Sequence, residues 1–287
     1  NITSLDDFFN KIKSGELTLF SYGGHTLCLE IFDKSNNILI DAGSGIMSFS
    51  DKVLKTNQKE FVIFQTHLHW DHIIGFPFFV PLYQKDVKIR FYHVHPHSED
   101  FVKILFNGVN FPVLWDQIVA EVKFIKVELY KTLQINSFDI TPYKLDHPGN
   151  CYGYRIEQSQ KALGIGVDGE YKRMSKEDLG KDRGLFTDLD LLVFDGQYEI
   201  EELASRYDWG HSSPILGVDL ALRERIKKLA VLHHDPKSSS IKINGMIDKA
   251  RKHLSKKFSA YKAEWQAIGQ PDGPDIFAAY DGMCLNV

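Results

Sequence analysis

The chain is predicted to fold as an α+β protein whose layered β-sheets are covered by helices. Short runs rich in β-branched and aromatic residues recur along its length and outnumber the helical patterns. The helical patterns are interspersed among those runs, as sheets covered by helices require. Nothing marks a linker: there is no long Gly/Ser-rich or Pro-rich stretch, no block of like charges and no fixed-period repeat. Residues 1–287 are therefore read as one domain.

A helical pattern at 4–13 opens the chain, followed by strands at 25–32 and 37–41 and a helix at 44–56. The next strand, 60–66, contains the apolar run Phe61-Val62-Ile63-Phe64 expected of a buried strand. A strand at 87–94 precedes a helix at 98–107. Strands follow at 121–130, 138–146, 151–157 and 161–167, the second of them stopped by Pro148-Gly149. The polar segment 169–188, with Lys172, Arg173, Lys176, Glu177, Asp178, Lys181, Asp182 and Arg183, reads as a solvated excursion. A strand at 189–194 leads to helices at 198–206 and 212–226, the latter with apolar residues at helical spacing from Ile215 to Ile226. A strand at 228–232, a helix at 240–258 and a strand at 275–280 complete the order.

With 287 residues, 43% hydrophobic and 25% charged, the chain has an ordinary globular composition and ample material for a core. A net charge of −4 gives no global attraction to polyanions, so neither DNA nor long RNA is an expected partner. Cys28, Cys151 and Cys284 lie far apart and form no C-x-x-C pair, which argues against a disulfide framework or a zinc ribbon. No apolar run approaches the roughly 20 residues that span a bilayer, and Asn1-Ile2-Thr3-Ser4 lacks a signal pattern. A cytoplasmic protein without membrane association is expected.

The chemistry concentrates where the strand at 60–66 ends. His67, His69, Asp71 and His72 supply four metal-binding side chains within six residues. In an extended chain residues two apart face one way, so His67 and His69 converge on one ion while Asp71 and His72 turn toward a neighbour. Imidazole and carboxylate suit zinc, and manganese or iron accepts the same donors.

Thr66-His67-Leu68-His69-Trp70-Asp71-His72 resembles the H-x-H-x-D-H signature of the metallo-β-lactamase superfamily. The resemblance implies an αββα sandwich, two mixed β-sheets packed face to face with helices outside, and a hydrolase with two divalent metal ions. It also implies a third His, a bridging Asp and a final His at later strand ends. His147, Asp168 and His233 take those places. Asp195 also ends an apolar strand, but motif order favours Asp168, followed at once by Gly169, which can turn the chain. Of the pair His233 and His234 only one can face the site from a buried strand, and the family position is the first. The expected ligands are His67, His69, Asp71, His72, His147, Asp168 and His233.

His211, in Trp209-Gly210-His211-Ser212-Ser213-Pro214 and 22 residues before His233, resembles the Gly-His-Ser-Thr-like motif of phosphodiester-cleaving members. There it would stabilise charge on the phosphate or protonate the leaving oxygen; alternatively, His-Ser-Ser caps the following helix. Two cations sharing a water lower its pKa to about 7, and Asp71 would orient or deprotonate that water. The stretches Tyr22-Gly23-Gly24, Asp41-Ala42-Gly43-Ser44-Gly45, Gly75 to Tyr83, Asp195 to Tyr198 and His233-His234-Asp235-Pro236 resemble cyclic-phosphodiesterase-like bacterial members. Transfer RNA 3′-processing nucleases share the His211 motif, but usually carry an RNA-gripping arm between the third His and the bridging Asp, whereas here Asp168 follows His147 by only 21 positions.

Small or cyclic nucleotide or sugar phosphodiesters are thus the expected substrates, with a homodimer compatible. The same dimetal chemistry serves carboxylic esters, thioesters or lactams in other members. A di-iron redox or oxygen-binding branch typically has Glu where this chain has His69. Phe76, Phe78 and Phe79 either line a pocket or pack in the core. His93, His95 and His97 are read as adventitious surface histidines on a strand edge. His25 stands where the family usually has Asn and carries no assigned role.

Overall fold

In a computed structural model, residues 2–14, 16 and 22–287 are described. Residue alternation organises the strands. In β2 (Asn37–Ile40), Ile38 and Ile40 face one way and Leu39 the other; in β3 (Glu60–Gln65), Val62 and Phe64 join the first set, Phe61 and Ile63 the second. With β1 (Leu29–Phe32), β4 (Lys88–His93) and β5 (Glu121–Lys126) they form a sheet of order β1-β2-β3-β4-β5, antiparallel only at the β1–β2 pair.

A second sheet has the order β12-β11-β10-β9-β8-β7-β6. Its strands are β6 (Leu133–Ile135), β7 (Phe138–Leu145), β8 (Cys151–Gln158), β9 (Lys161–Gly166), β10 (Leu191–Asp195), β11 (Lys228–Leu232) and β12 (Asp275–Ala278). It is antiparallel from β6 to β9 and parallel from β9 to β12. The sheets face each other across a core in which Ile38, Ile40, Val62 and Phe64 meet Ile140, Tyr154, Ile165 and Val193. Outside the first sheet lies the helix α1 (Ile46–Val53), whose Ile46, Phe49 and Val53 pack with Phe61 and Ile63. Outside the second lie α2 (Pro214–Glu224) and α3 (Ser240–Lys257), which bury Val218, Leu222 and Ile247 with Phe194 and Val231. This is the expected αββα sandwich.

Several local expectations change. The first strand begins at Leu29 rather than 25, and 121–130 ends at Lys126 before a separate strand, β6, that the sequence pattern missed. Residues 200–206 form a 3₁₀ helix, and a short α-helix absent from the sequence reading spans Trp70–Ile73. The segment 169–188 is solvated only in part: Glu170, Tyr171, Leu185 and Phe186 are buried, with Tyr171 stacked on Phe194 at 4.9 Å. His93 ends β4, which is flanked by β3 and β5, so it lies on an interior strand rather than an edge. No helix among the described residues is long and apolar enough to cross a membrane.

The topology positions the site. Parallel β9, β10 and β11 end side by side, with Phe194 opposite Gly166 and Asp195 opposite Leu232. Side chains just beyond those ends therefore converge at one rim, as ligand-binding residues do at the carboxyl ends of parallel strands.

Candidate metal centre

Beyond the end of β3 the chain continues through Thr66 and His67, and His69 immediately precedes the helix that carries Asp71 and His72 on one turn. That helix is pressed onto the 42–43 backbone: Ala42 N–H donates to His72 O and Gly75 N–H to Ala42 O, both at 2.9 Å. A Cβ on Gly75 would lie 2.0 Å from Gly43 O, and one on Gly43 2.3 Å from Asp71 O. Only glycine at both places permits this approach.

Two sets of side chains meet here. His67, His69 and His147 bring ligand atoms within 4.8 Å of one another, and so do Asp71, His72, Asp168 and His233. Asp168 stands between them: Oδ2 lies 2.8 Å from His72 Nε2 and 3.2 Å from His67 Nε2, and Oδ1 lies 3.0 Å from His233 Nε2. His147 Nε2 is 3.1 Å from His69 Nδ1, and Asp71 Oδ2 is 3.2 Å from His233 Nε2. The turn after β9 is made at Asp168 itself (φ 59°) rather than at Gly169, and His233 (φ 60°) and Asp41 (φ 63°) leave their strands the same way. Such left-handed residues cost about 1–3 kcal/mol each and cluster where function over-determines them.

Burial pushes the imidazoles of His67, His69 and His147 down, toward the neutral form that offers a lone pair. At His233 burial also disfavours charge, but Asp168 and Asp71 outweigh it and raise the group to about 9. His72 is raised well above its usual value by Asp168 and Asp41 against the same burial. The neighbouring imidazoles in turn overcome burial at Asp71 and Asp168 and hold both carboxyls below the usual range. His67 Nε2, His72 Nε2 and Asp168 Oδ1 are buried without a hydrogen-bond partner. Orphaned imidazole nitrogens around ionised carboxylates fit divalent cations.

Residues behind the cluster orient it. Asp41, fully buried, faces His72 Nδ1 at 2.7 Å and accepts from Thr66 N–H and Thr66 Oγ1, each at 2.7 Å, and from Gln65 Nε2 at 2.9 Å. Gly210 O lies 2.8 Å from His147 Nδ1. Asp195 Oδ2 lies 2.9 Å from His211 Nδ1, and the same carboxylate accepts the N–H groups of Asp168, Gln197 and Ser212. Asp195 is thus the partner of His211, and Asp168 the residue between the two sets. His211 stacks on His233 at 5.1 Å. Ser213, at the N-cap of α2, makes no side-chain capping bond, so the capping reading of His-Ser-Ser is not what the turn does. Sequence reasoning gave Asp41 no specific role, although its position at the end of β2 is the same signal that marked the others.

The remaining candidates fall away from the cluster. His234 Nε2 contacts Ala279 O at 3.3 Å. His25 is exposed beside Ser44 and Ser48. His93 is buried, against the surface reading, and its Nδ1 lies 2.7 Å from His95 O; His95 is half-buried and His97 exposed. Phe76 and Phe79 belong to the core, whereas Phe78 is half exposed and packs edge-on against Phe111. The three cysteines are free.

Residues 36–234 match a family described as the beta-lactamase superfamily domain. Ribonuclease Z from Picrophilus torridus is 24% identical over 225 residues, 63% of this chain and 71% of that protein. Among solved structures, the metallo-beta-lactamase fold protein YhfI from Bacillus subtilis is similar at a TM-score of 0.62 and 18% identity, over 92% of this chain and 95% of that one. Unliganded yeast PDE1 is similar at 0.63 and 16%, over 92% and 96%. With fold, family match and a histidine–aspartate cluster in agreement, this chain belongs to the metallo-β-lactamase superfamily and is a metal-dependent hydrolase.

Proposed function

We propose that this hydrolase holds two divalent ions and cleaves phosphodiesters, with small or cyclic nucleotide or sugar phosphodiesters as its substrates. His67, His69 and His147 would hold one ion and Asp71, His72 and His233 the other, with Asp168 placed between the two sets. The observation that carries this reading is the position of Asp168, within 3.2 Å of histidines from both sets. Zinc suits the donors best among ions that also include manganese and iron. When bound, the two ions activate a shared water and neutralise charge on the phosphate.

The protein groups do the rest. Asp71 Oδ2 faces His72 and His233, which leaves Oδ1 to orient the attacking water and accept its proton. Asp195 fixes Nδ1 of His211, so Nε2 is the atom that meets a phosphate oxygen or protonates the leaving group. The ribonuclease Z relative supports phosphodiester chemistry. Two features support a small substrate over long RNA: the net charge of −4, and the tight Ser159-Gln160 turn that joins β8 to β9, with no arm between His147 and Asp168.

Purified protein is expected to bind about two ions and to hydrolyse bis-p-nitrophenyl phosphate, with His69→Ala abolishing turnover. A panel of cyclic mononucleotides, cyclic dinucleotides, cyclic sugar phosphates and RNA then ranks substrates. Protein that takes up no metal under any condition overturns the proposal, and turnover of a thioester or lactam without any phosphodiester replaces it.

A further inference from the structure

We propose that Glu170 is a positioning residue that sets both His147 and His211 through the turn at 206–211. It comes from the polar segment that sequence reasoning read as a solvated excursion, yet Glu170 is buried, two residues beyond Asp168. Its Oε1 accepts Asp208 N–H at 2.9 Å and its Oε2 accepts Gly210 N–H at 3.1 Å. Its own N–H donates to Asp146 O at 2.9 Å, so it also grips the residue before His147.

What the carboxylate holds is the peptide that matters. Gly210 O lies 2.8 Å from His147 Nδ1, which fixes the ring and leaves Nε2 to face His69. Gly210 has φ 83°, and a Cβ there would lie 2.0 Å from His147 Nδ1, so the turn is pressed directly onto the imidazole. His211 follows at once and reaches Asp195. A charged acceptor for the N–H groups of Asp208 and Gly210, separated by one residue in the turn, makes stronger bonds than a neutral one. Lys172, 3.3 Å from Glu170 Oε2 and also paired with Asp208, offsets the buried charge. The segment 168–170 thus places one carboxylate among the histidines and a second behind the turn that orients them.

The inference rests on the reading of His147 as a metal ligand, and its test separates the two. In Glu170→Gln the side-chain oxygen can accept one N–H, while its NH₂ opposes the other. Zinc affinity, measured by competition with a chromophoric chelator, is expected to fall about tenfold or more, as when a ligand's hydrogen-bond partner is removed. At saturating zinc kcat stays depressed with KM little changed, because His211 is displaced as well.

Unchanged zinc affinity and kcat in a folded Glu170→Gln overturns the inference while leaving the proposed function intact, and so does a lowered melting temperature as its sole effect. If wild type binds zinc but cleaves no phosphodiester, the affinity comparison still decides Glu170. If Glu170→Gln does not fold, Glu170→Asp, too short to reach both N–H groups, is judged by the same zinc titration.

Discussion

His72 Nδ1 and Asp41 Oδ2 lie 2.7 Å apart, both completely buried, on segments that come together only because β2 and β3 are parallel neighbours. With Nδ1 committed to Asp41, the Nε2 of His72 is the atom that faces Asp168 and Asp71. Asp41→Asn keeps the shape but removes the charge that favours this ring orientation. Zinc affinity is expected to drop about 10–100-fold, the usual cost of losing such a partner. A chelator titration that gives the wild-type constant would show that Asp41 is only a structural acceptor for Gln65 and Thr66.

His211 is held by Asp195 rather than by any of the proposed ligands on the His67 side, so its removal separates chemistry from metal binding. His211→Ala is expected to lower kcat on a phosphodiester by about 10²–10⁴, the range for a positioned acid or base, with metal content near wild type. Asp195→Asn should act in the same direction. Metal loss in His211→Ala would instead mark His211 as a ligand, through the group it forms with Asp168, Asp195 and His233.

Adjacent histidines at the end of β11 have opposite expectations. His233 lies 3.0 Å from Asp168, whereas His234 turns to Ala279 O and sits edge-on to Tyr22 at 5.7 Å. His233→Ala should therefore lose one ion and nearly all turnover, and His234→Ala should keep both. Metal counting by mass spectrometry under native conditions distinguishes them, and equal loss in the two variants would refute the assignment.

What could be read from the sequence was whatever is local. Alternation gave the strands and strand ends gave candidates, Asp168 and Asp195 alike; the motif order of the resembling family, rather than position alone, singled out Asp168 and His233. The roles of Asp41, Asp195 and Glu170 were not legible, since they exist only through partners 31, 16 and 40 residues away. Glu170 in particular was hidden by the charges that follow it, which made a buried carboxylate look like part of a wet loop. The three-residue strand β6 is too short to show alternation, and although Asp enters the left-handed region more readily than most residues, that tolerance alone does not place a turn at Asp168.

Two glycine-to-alanine changes are expected to move stability in opposite directions. Gly75 lets the helix of Asp71 and His72 rest on the 42–43 backbone, and an added methyl would sit 2.0 Å from Gly43 O and 2.8 Å from Ile46 Cγ2. A carbonyl within a hydrogen-bonded backbone cannot step aside as a flexible side chain does. Gly75→Ala should therefore cost at least about 1–3 kcal/mol, as overpacking does, and should also weaken zinc binding by displacing Asp71 and His72. Gly245 lies inside α3, where a Cβ meets nothing within 4 Å, so alanine there relieves only the backbone entropy of glycine. Gly245→Ala should add about 0.5–1 kcal/mol and leave zinc affinity untouched. Melting temperatures of the metal-free variants, measured side by side, test the pair. A Gly75→Ala protein as stable as wild type would mean that the contact between the helix and the 42–43 backbone is looser than the structure has it.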